Sequence, residues 1–160
     1  MDPLALTSEA LREPWRLWTG HLVHFGWEHT LANTFALLVP ALLVPCEDRR
    51  RLCTVALLAA PLLSLLLLPG LGQDQYRGAS GLACVLWTWL GHRLLATEDS
   101  APLGRLMLGG LLLKLAGETM VNGSLLVRAE GWQTLPAAHL WGACLGLIST
   151  IPARFHARRA

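Results

Sequence analysis

Apolar residues in this chain are gathered into five long runs rather than alternating with polar ones. The runs extend from about His29 to Cys46, Leu52 to Leu68, Ser80 to Leu95, Leu103 to Met120 and Ala137 to Pro152. Continuous apolar runs of this length read as helices buried in lipid or protein, and each is near or slightly below the roughly 20 residues of an average span. The predicted fold is all-α: a polytopic membrane helix bundle with five visible transmembrane helices. Turns are marked at Glu47-Asp48, Pro69-Gly70, Thr97 to Pro102 and Val121-Asn122-Gly123. Short spans predict a thinned bilayer or helix ends buried in protein, because exposed backbone costs far more in lipid than a few ångströms of mismatch. Thinning would also help to admit water.

The first 28 residues break the pattern. Asp2, Glu9, Arg12, Glu13 and Arg16 make the segment too polar to span, at a few kcal/mol each inside lipid. It has no basic start followed by an apolar core, so it is not a signal peptide. An amphipathic, interfacial lead-in is expected. No repeat, low-complexity tract or separate soluble domain is visible. The chain divides into an N-terminal interfacial segment (1–28), a membrane domain (29–152) and a basic cytoplasmic tail (153–160).

Composition agrees: 53% hydrophobic and 15% charged residues place the chain in a lipid bilayer. Charge adds an orientation. Arg49, Arg50, Arg51, Arg93, Arg105, Arg154, Arg158 and Arg159 fall at alternate helix ends that share one side, which the positive-inside rule makes cytoplasmic. The opposite ends carry Trp15, Trp18, Trp27 and Trp132, as an interfacial aromatic belt would. The net charge of +2 follows from this bias, and without a basic run interleaved with aromatics nucleic acid is excluded as a partner. Cys46, Cys53, Cys84 and Cys144 lie in or beside apolar segments with no Cys-x-x-Cys spacing, so they read as packing residues and no structural zinc is expected.

Candidate chemistry sits at the outer helix ends. Ser80, in Gly78-Ala79-Ser80-Gly81, starts an apolar helix. Alone it reads as an N-cap. Leu82 replaces the second glycine of a Gly-x-Ser-x-Gly elbow, which excludes the soluble hydrolases that use one. Yet a helix N-terminus also offers unpaired N–H groups to a developing oxyanion. His139 starts the last run, and an imidazole in the outer half of a span marks a functional site or an interhelical hydrogen bond. Gly142, Ala143 and Gly146 share the face of His139, while Gly81, Cys84, Thr88 and Gly91 continue that of Ser80. Two such faces can pack backbone to backbone and bring hydroxyl and imidazole together. His29 and Asn33, four apart, stack on one helix face and can donate to one oxyanion, each donor being worth about 3 kcal/mol. A metal site from His21, His24 and His29 is disfavoured, since no carboxylate stands at helical spacing and Glu28 precedes His29 on another face. Structural hydrogen bonding is the stronger bland reading of His24, and Lys114 with Glu118 reads as an intrahelical ion pair without a catalytic role.

These pieces together, WRLWTGHLVHFGWEHTLANTFALL, YRGASG and AHLWGACLG, resemble the rhomboid intramembrane serine proteases from about Trp15 to the end. Tyr76-Arg77-Gly78 and Lys114-x-x-x-Glu118 are similar to the rhombosortase branch. The resemblance implies a Ser80 nucleophile and a His139 base in a dyad lacking a carboxylate. It makes His29, Asn33 and the Ser80 N–H the oxyanion donors, with His24, Gly78 and Gly81 in support and no cofactor or metal. Its implied substrate is a membrane-anchored protein with a glycine-rich segment, a membrane helix and a basic tail, cut near the periplasmic face of a bacterial inner membrane. The loop from Gly72 to Gly78 and the outer loop around Gly131 are the expected water entrances, the latter as a cap. Two departures stand out: rhomboids have six core helices and the family's first is missing here, and Cys84 replaces the ring that commonly packs beside the histidine. An inactive rhomboid-like chaperone and a general rhomboid protease are the alternatives; a transporter is disfavoured, since no pair of broken helices occurs in matching halves.

Overall fold

The computed structural model of the protein describes residues 2–72, 74–121 and 135–151. Among the described residues six helices follow in order: α1 (Arg16–Thr19), α2 (Trp27–Leu43), α3 (Arg49–Leu71), α4 (Ser80–Leu94), α5 (Ala101–Val121) and α6 (Pro136–Ile148). Short 3-10 turns lie at Ser8–Leu11 and Cys46–Asp48. No strand occurs among the described residues, so the all-α bundle expected from the sequence is the fold found, with α2 to α6 in place of the five apolar runs. Local chemistry sets several boundaries. Val44 is extended before Pro45 and ends α2, and Pro136 occupies the first turn of α6, where its missing N–H costs nothing.

The stretch Cys46–Leu71 is the one helix among the described residues that is long and apolar enough to cross a bilayer on its own. The others depend on neighbours. The 15-residue α4 packs against α2, α3, α5 and α6, and Ala83, Cys84, Val85, Leu86, Trp89, Leu90 and Leu94 are buried around its circumference. A helix surrounded in this way can be short, because protein rather than lipid meets its ends. Trp87 donates from Nε1 to the Ala36 carbonyl at 2.8 Å, joining α4 to α2. At the end rich in arginine, buried Asp48 accepts from Arg93 at 2.6 Å and Arg51 at 3.2 Å. That ion pair ties the α2–α3 turn to the C-terminal end of α4.

The N-terminal segment is folded onto the opposite end. Leu6 and Tyr76 pair through both backbone amides, at 3.1 and 2.9 Å, while Ala5, Leu6 and Ala10 are fully buried. Arg16 is buried as well. It is tolerated because its guanidinium pairs with Glu13 and donates to the carbonyls of Ala5 at 2.8 Å and Asp2 at 3.0 Å. His21 Nε2 lies 3.0 Å from both the Ala60 carbonyl and Ser64 Oγ on α3, and the Ser64 hydroxyl donates to the Leu17 carbonyl at 2.8 Å. Trp15, Trp18 and Trp27 are exposed here; Trp132, Arg128, the tail 153–160 and the loop around Gly131 lie outside the described residues.

Candidate active site

Ser80 is the first residue of α4, with Ala79 in the capping position and no side-chain cap. The hydroxyl is therefore not spent on an N-cap, the plainest reading of its sequence position. It lies 2.8 Å from Nε2 of His139, which is buried in the first turn of α6. Glycine explains the closeness. A Cβ at Gly142 would collide with the Gly81 carbonyl oxygen, one at Gly146 would sit 2.5 Å from the Val85 oxygen, and one at Gly81 2.9 Å from the Ala138 oxygen. α4 and α6 thus touch through backbone along the two small-residue faces recognised in the sequence.

His29 and Asn33 are buried on one face of α2 and converge on Gly78, two residues before Ser80. Gly78 has φ +126°, and a Cβ there would stand 2.6 Å from His29 Cε1, 3.0 Å from its Nε2 and 3.7 Å from Asn33 Nδ2. Only glycine combines that backbone with that contact. One Asn33 N–H is held by the His29 carbonyl at 2.8 Å, which leaves the amide's second proton to donate elsewhere. As the first helical residue, Ser80 likewise has no intrahelical acceptor for its own N–H. The Asn33 amide and the Ser80 N–H, donors of the kind a tetrahedral oxyanion requires, are thus gathered with the His29 ring around the Gly78 to Ser80 turn.

His24 packs edge-on to His29, with ring centroids 5.2 Å apart, and its Nδ1–H donates to the Leu22 carbonyl at 3.2 Å. Burial pushes its pKa down. The stack continues through Phe25, 6.2 Å from His29, to Arg77, whose guanidinium lies 5.2 Å from the centre of the Phe25 ring. His21 faces α3 rather than His24 and His29, so the three imidazoles do not share a focus. The Tyr76 hydroxyl is buried, and burial holds the phenol protonated well above its ordinary range. Cys84, four residues after Ser80, is buried, and its Cβ would stand 3.2 Å from a Cβ built on Gly142.

One side chain expected only as an intrahelical ion-pair partner also reaches this centre. Glu118 on α5 forms the intrahelical ion pair with Lys114 that the spacing predicts, both carboxylate oxygens standing 2.8 Å from Nζ. Its Oε2 also lies 2.7 Å from His139 Nδ1, while Lys114 Nζ is 3.1 Å from the same nitrogen. A carboxylate therefore stands behind the imidazole of a dyad that the resemblance implies without one. The signal that could have found it is composition within the runs: Glu118 is the one acidic residue, and Lys114 the one lysine, in all five. Ionisable groups at membrane depth are functional candidates by default.

The family model described as the Rhomboid domain matches residues 11–154, nearly the whole chain. No curated protein matches it.

Proposed function

Because this chain belongs to the rhomboid family, whose members are in general intramembrane serine proteases, we propose that it is a serine endopeptidase cleaving membrane proteins within the bilayer. The observation that carries the reading is the 2.8 Å approach of Ser80 Oγ to His139 Nε2 beside the donors around Gly78. Ser80 Oγ attacks the scissile carbonyl while its proton passes to His139 Nε2. The oxyanion is held by the Ser80 N–H, Asn33 Nδ2 and His29 Nε2. His139 then protonates the leaving amine as the C–N bond breaks, and water activated by the same imidazole hydrolyses the acyl-enzyme.

The finer reading is a rhombosortase-type processing protease of a bacterial inner membrane, with its site toward the periplasm. Supporting it are Tyr76-Arg77-Gly78, Lys114-x-x-x-Glu118 and the arginines gathered at the helix ends opposite Ser80. Its substrates carry a glycine-rich segment ahead of a membrane helix, and no cofactor takes part. The test is covalent labelling of the detergent-purified chain by a fluorophosphonate, in which Ser80 Oγ displaces fluoride from phosphorus. Labelling is expected in the wild type, absent in Ser80→Ala and His139→Ala, and about 100-fold slower in Asn33→Ala. Folded wild-type protein that stays unlabelled overturns the proteolytic reading.

A further inference from the structure

Imidazole Nδ1 has room for one hydrogen-bond partner in its plane, and two groups compete for it at His139. Glu118 Oε2, at 2.7 Å, can only accept; Lys114 Nζ, at 3.1 Å, can only donate. The choice decides the chemistry. If Glu118 accepts, the proton sits on Nδ1 and the lone pair on Nε2 faces the Ser80 hydroxyl 2.8 Å away. If Lys114 donates, the proton sits on Nε2, and His139 cannot take another from Ser80.

The contacts favour the first arrangement. The carboxylate oxygen stands nearer to Nδ1 than the ammonium does, 2.7 against 3.1 Å, and the ammonium already donates to both oxygens of Glu118 at 2.8 Å. The side chain of Glu118 is 1% exposed, a position that an unpaired carboxylate could not hold. Lys114 neutralises it, and the remaining lone pair of Oε2 is aimed at Nδ1.

We propose that Glu118, kept ionised by Lys114, is a positioning residue that fixes His139 in the tautomer able to accept the Ser80 proton, making the centre a serine, histidine and glutamate triad built from α4, α6 and α5. This rests on the serine protease reading and deepens it. In the acylation step the Ser80 Oγ–H bond breaks, the proton moves to Nε2, and the new Oγ–C bond forms. Throughout, the Nδ1–H stays on His139, and the carboxylate stabilises the resulting imidazolium without being protonated.

Two measurements on the full chain in detergent decide it. The first compares fluorophosphonate labelling of the wild type and Glu118→Gln, separating the maximal inactivation rate from the probe's binding constant. A glutamine amide can turn its N–H₂ toward Nδ1 and impose the wrong tautomer. The maximal rate should fall about 10³- to 10⁴-fold, with binding changed less than about two-fold, and Glu118→Asp should recover part of the loss. A Glu118→Gln rate within about three-fold of wild type overturns the proposal. The second measurement covers a Glu118→Gln protein that does not fold. In Ser80→Ala protein carrying ¹⁵N-labelled histidine and native Glu118, His139 should show the Nδ1–H tautomer; an Nε2–H tautomer overturns the proposal. Wild-type protein that fails to label through Ser80 overturns instead the protease reading, and the tautomer still reports on Glu118.

Discussion

Each site residue depends on how a buried polar atom is satisfied, and His21 shows this outside the reacting centre. Its ring is sealed against Ala60 and Ser64 and meets Tyr76 edge-on, with centroids 5.6 Å apart. Burial is the largest influence on it and pushes its pKa below the ordinary 6.5. As pH falls through about 6.5, the unfolded chain binds a proton there that the folded chain refuses, so stability declines on acidification and is unaffected above that range. The slope from this residue approaches about 1.4 kcal/mol per pH unit between the two pKa values. Thermal unfolding in detergent from pH 8 to pH 5 should therefore be steeper in the wild type than in His21→Asn; equal slopes would show that His21 does not couple folding to pH. Ser80, His139, His29 and Asn33 were visible in the sequence because each stands at a helix end or at helical spacing from a partner. Glu118 was not, since its bond to Lys114 four residues earlier gave a complete local explanation. Its bond to His139 depends on how α5 is rotated against α6, which spacing along one helix does not specify.

Among the elements, the contact between α4 and α6 decides whether the site exists. The predicted small-residue faces meet where expected, but the sequence could not rank the glycines, because rank depends on what stands opposite. Gly142 faces a carbonyl oxygen that belongs to α4 and cannot yield, whereas Gly109 and Gly110 on α5 face open space. Gly142→Ala should force α6 away from α4, lengthen the bond from Ser80 to His139 and slow fluorophosphonate labelling by more than about 10-fold, with a stability loss of about 1–3 kcal/mol from overpacking. Gly109→Ala has no such cost and gains up to about 1 kcal/mol in helix propensity. Labelling rates and unfolding midpoints of the two variants check this together. If Gly142→Ala labels as fast as Gly109→Ala, close backbone contact is not what aligns the two residues. The N-terminal segment was the least legible element. Its charges argue against a span, yet the pairing of Leu6 with Tyr76 and the burial of Arg16 arise from contacts far apart in sequence.

For the whole molecule, the short central helix sets the depth at which a substrate must be opened. A 15-residue helix rises about 22 Å, against a hydrocarbon core of about 30 Å. With the Arg93 end of α4 at one boundary and the helix along the membrane normal, Ser80 lies about 8 Å below the other. A substrate helix at that depth hides its carbonyls in its own hydrogen bonds and must unwind before Ser80 can attack one. Each glycine in place of alanine lowers the helix's stability by about 1 kcal/mol. For a four-glycine segment ahead of a membrane helix, replacement by alanine should add about 4 kcal/mol to the cost of opening, slowing cleavage close to a thousandfold if opening precedes attack. Initial cleavage rates of the matched pair, reconstituted with the protein in liposomes, measure this. Equal rates would remove the glycine requirement and leave a general rhomboid protease. Short water-soluble peptides of the same two sequences separate unwinding from recognition. They carry no helix to open, so the preference should collapse to less than about 10-fold if depth and unwinding cause it, and persist if a pocket reads glycine directly.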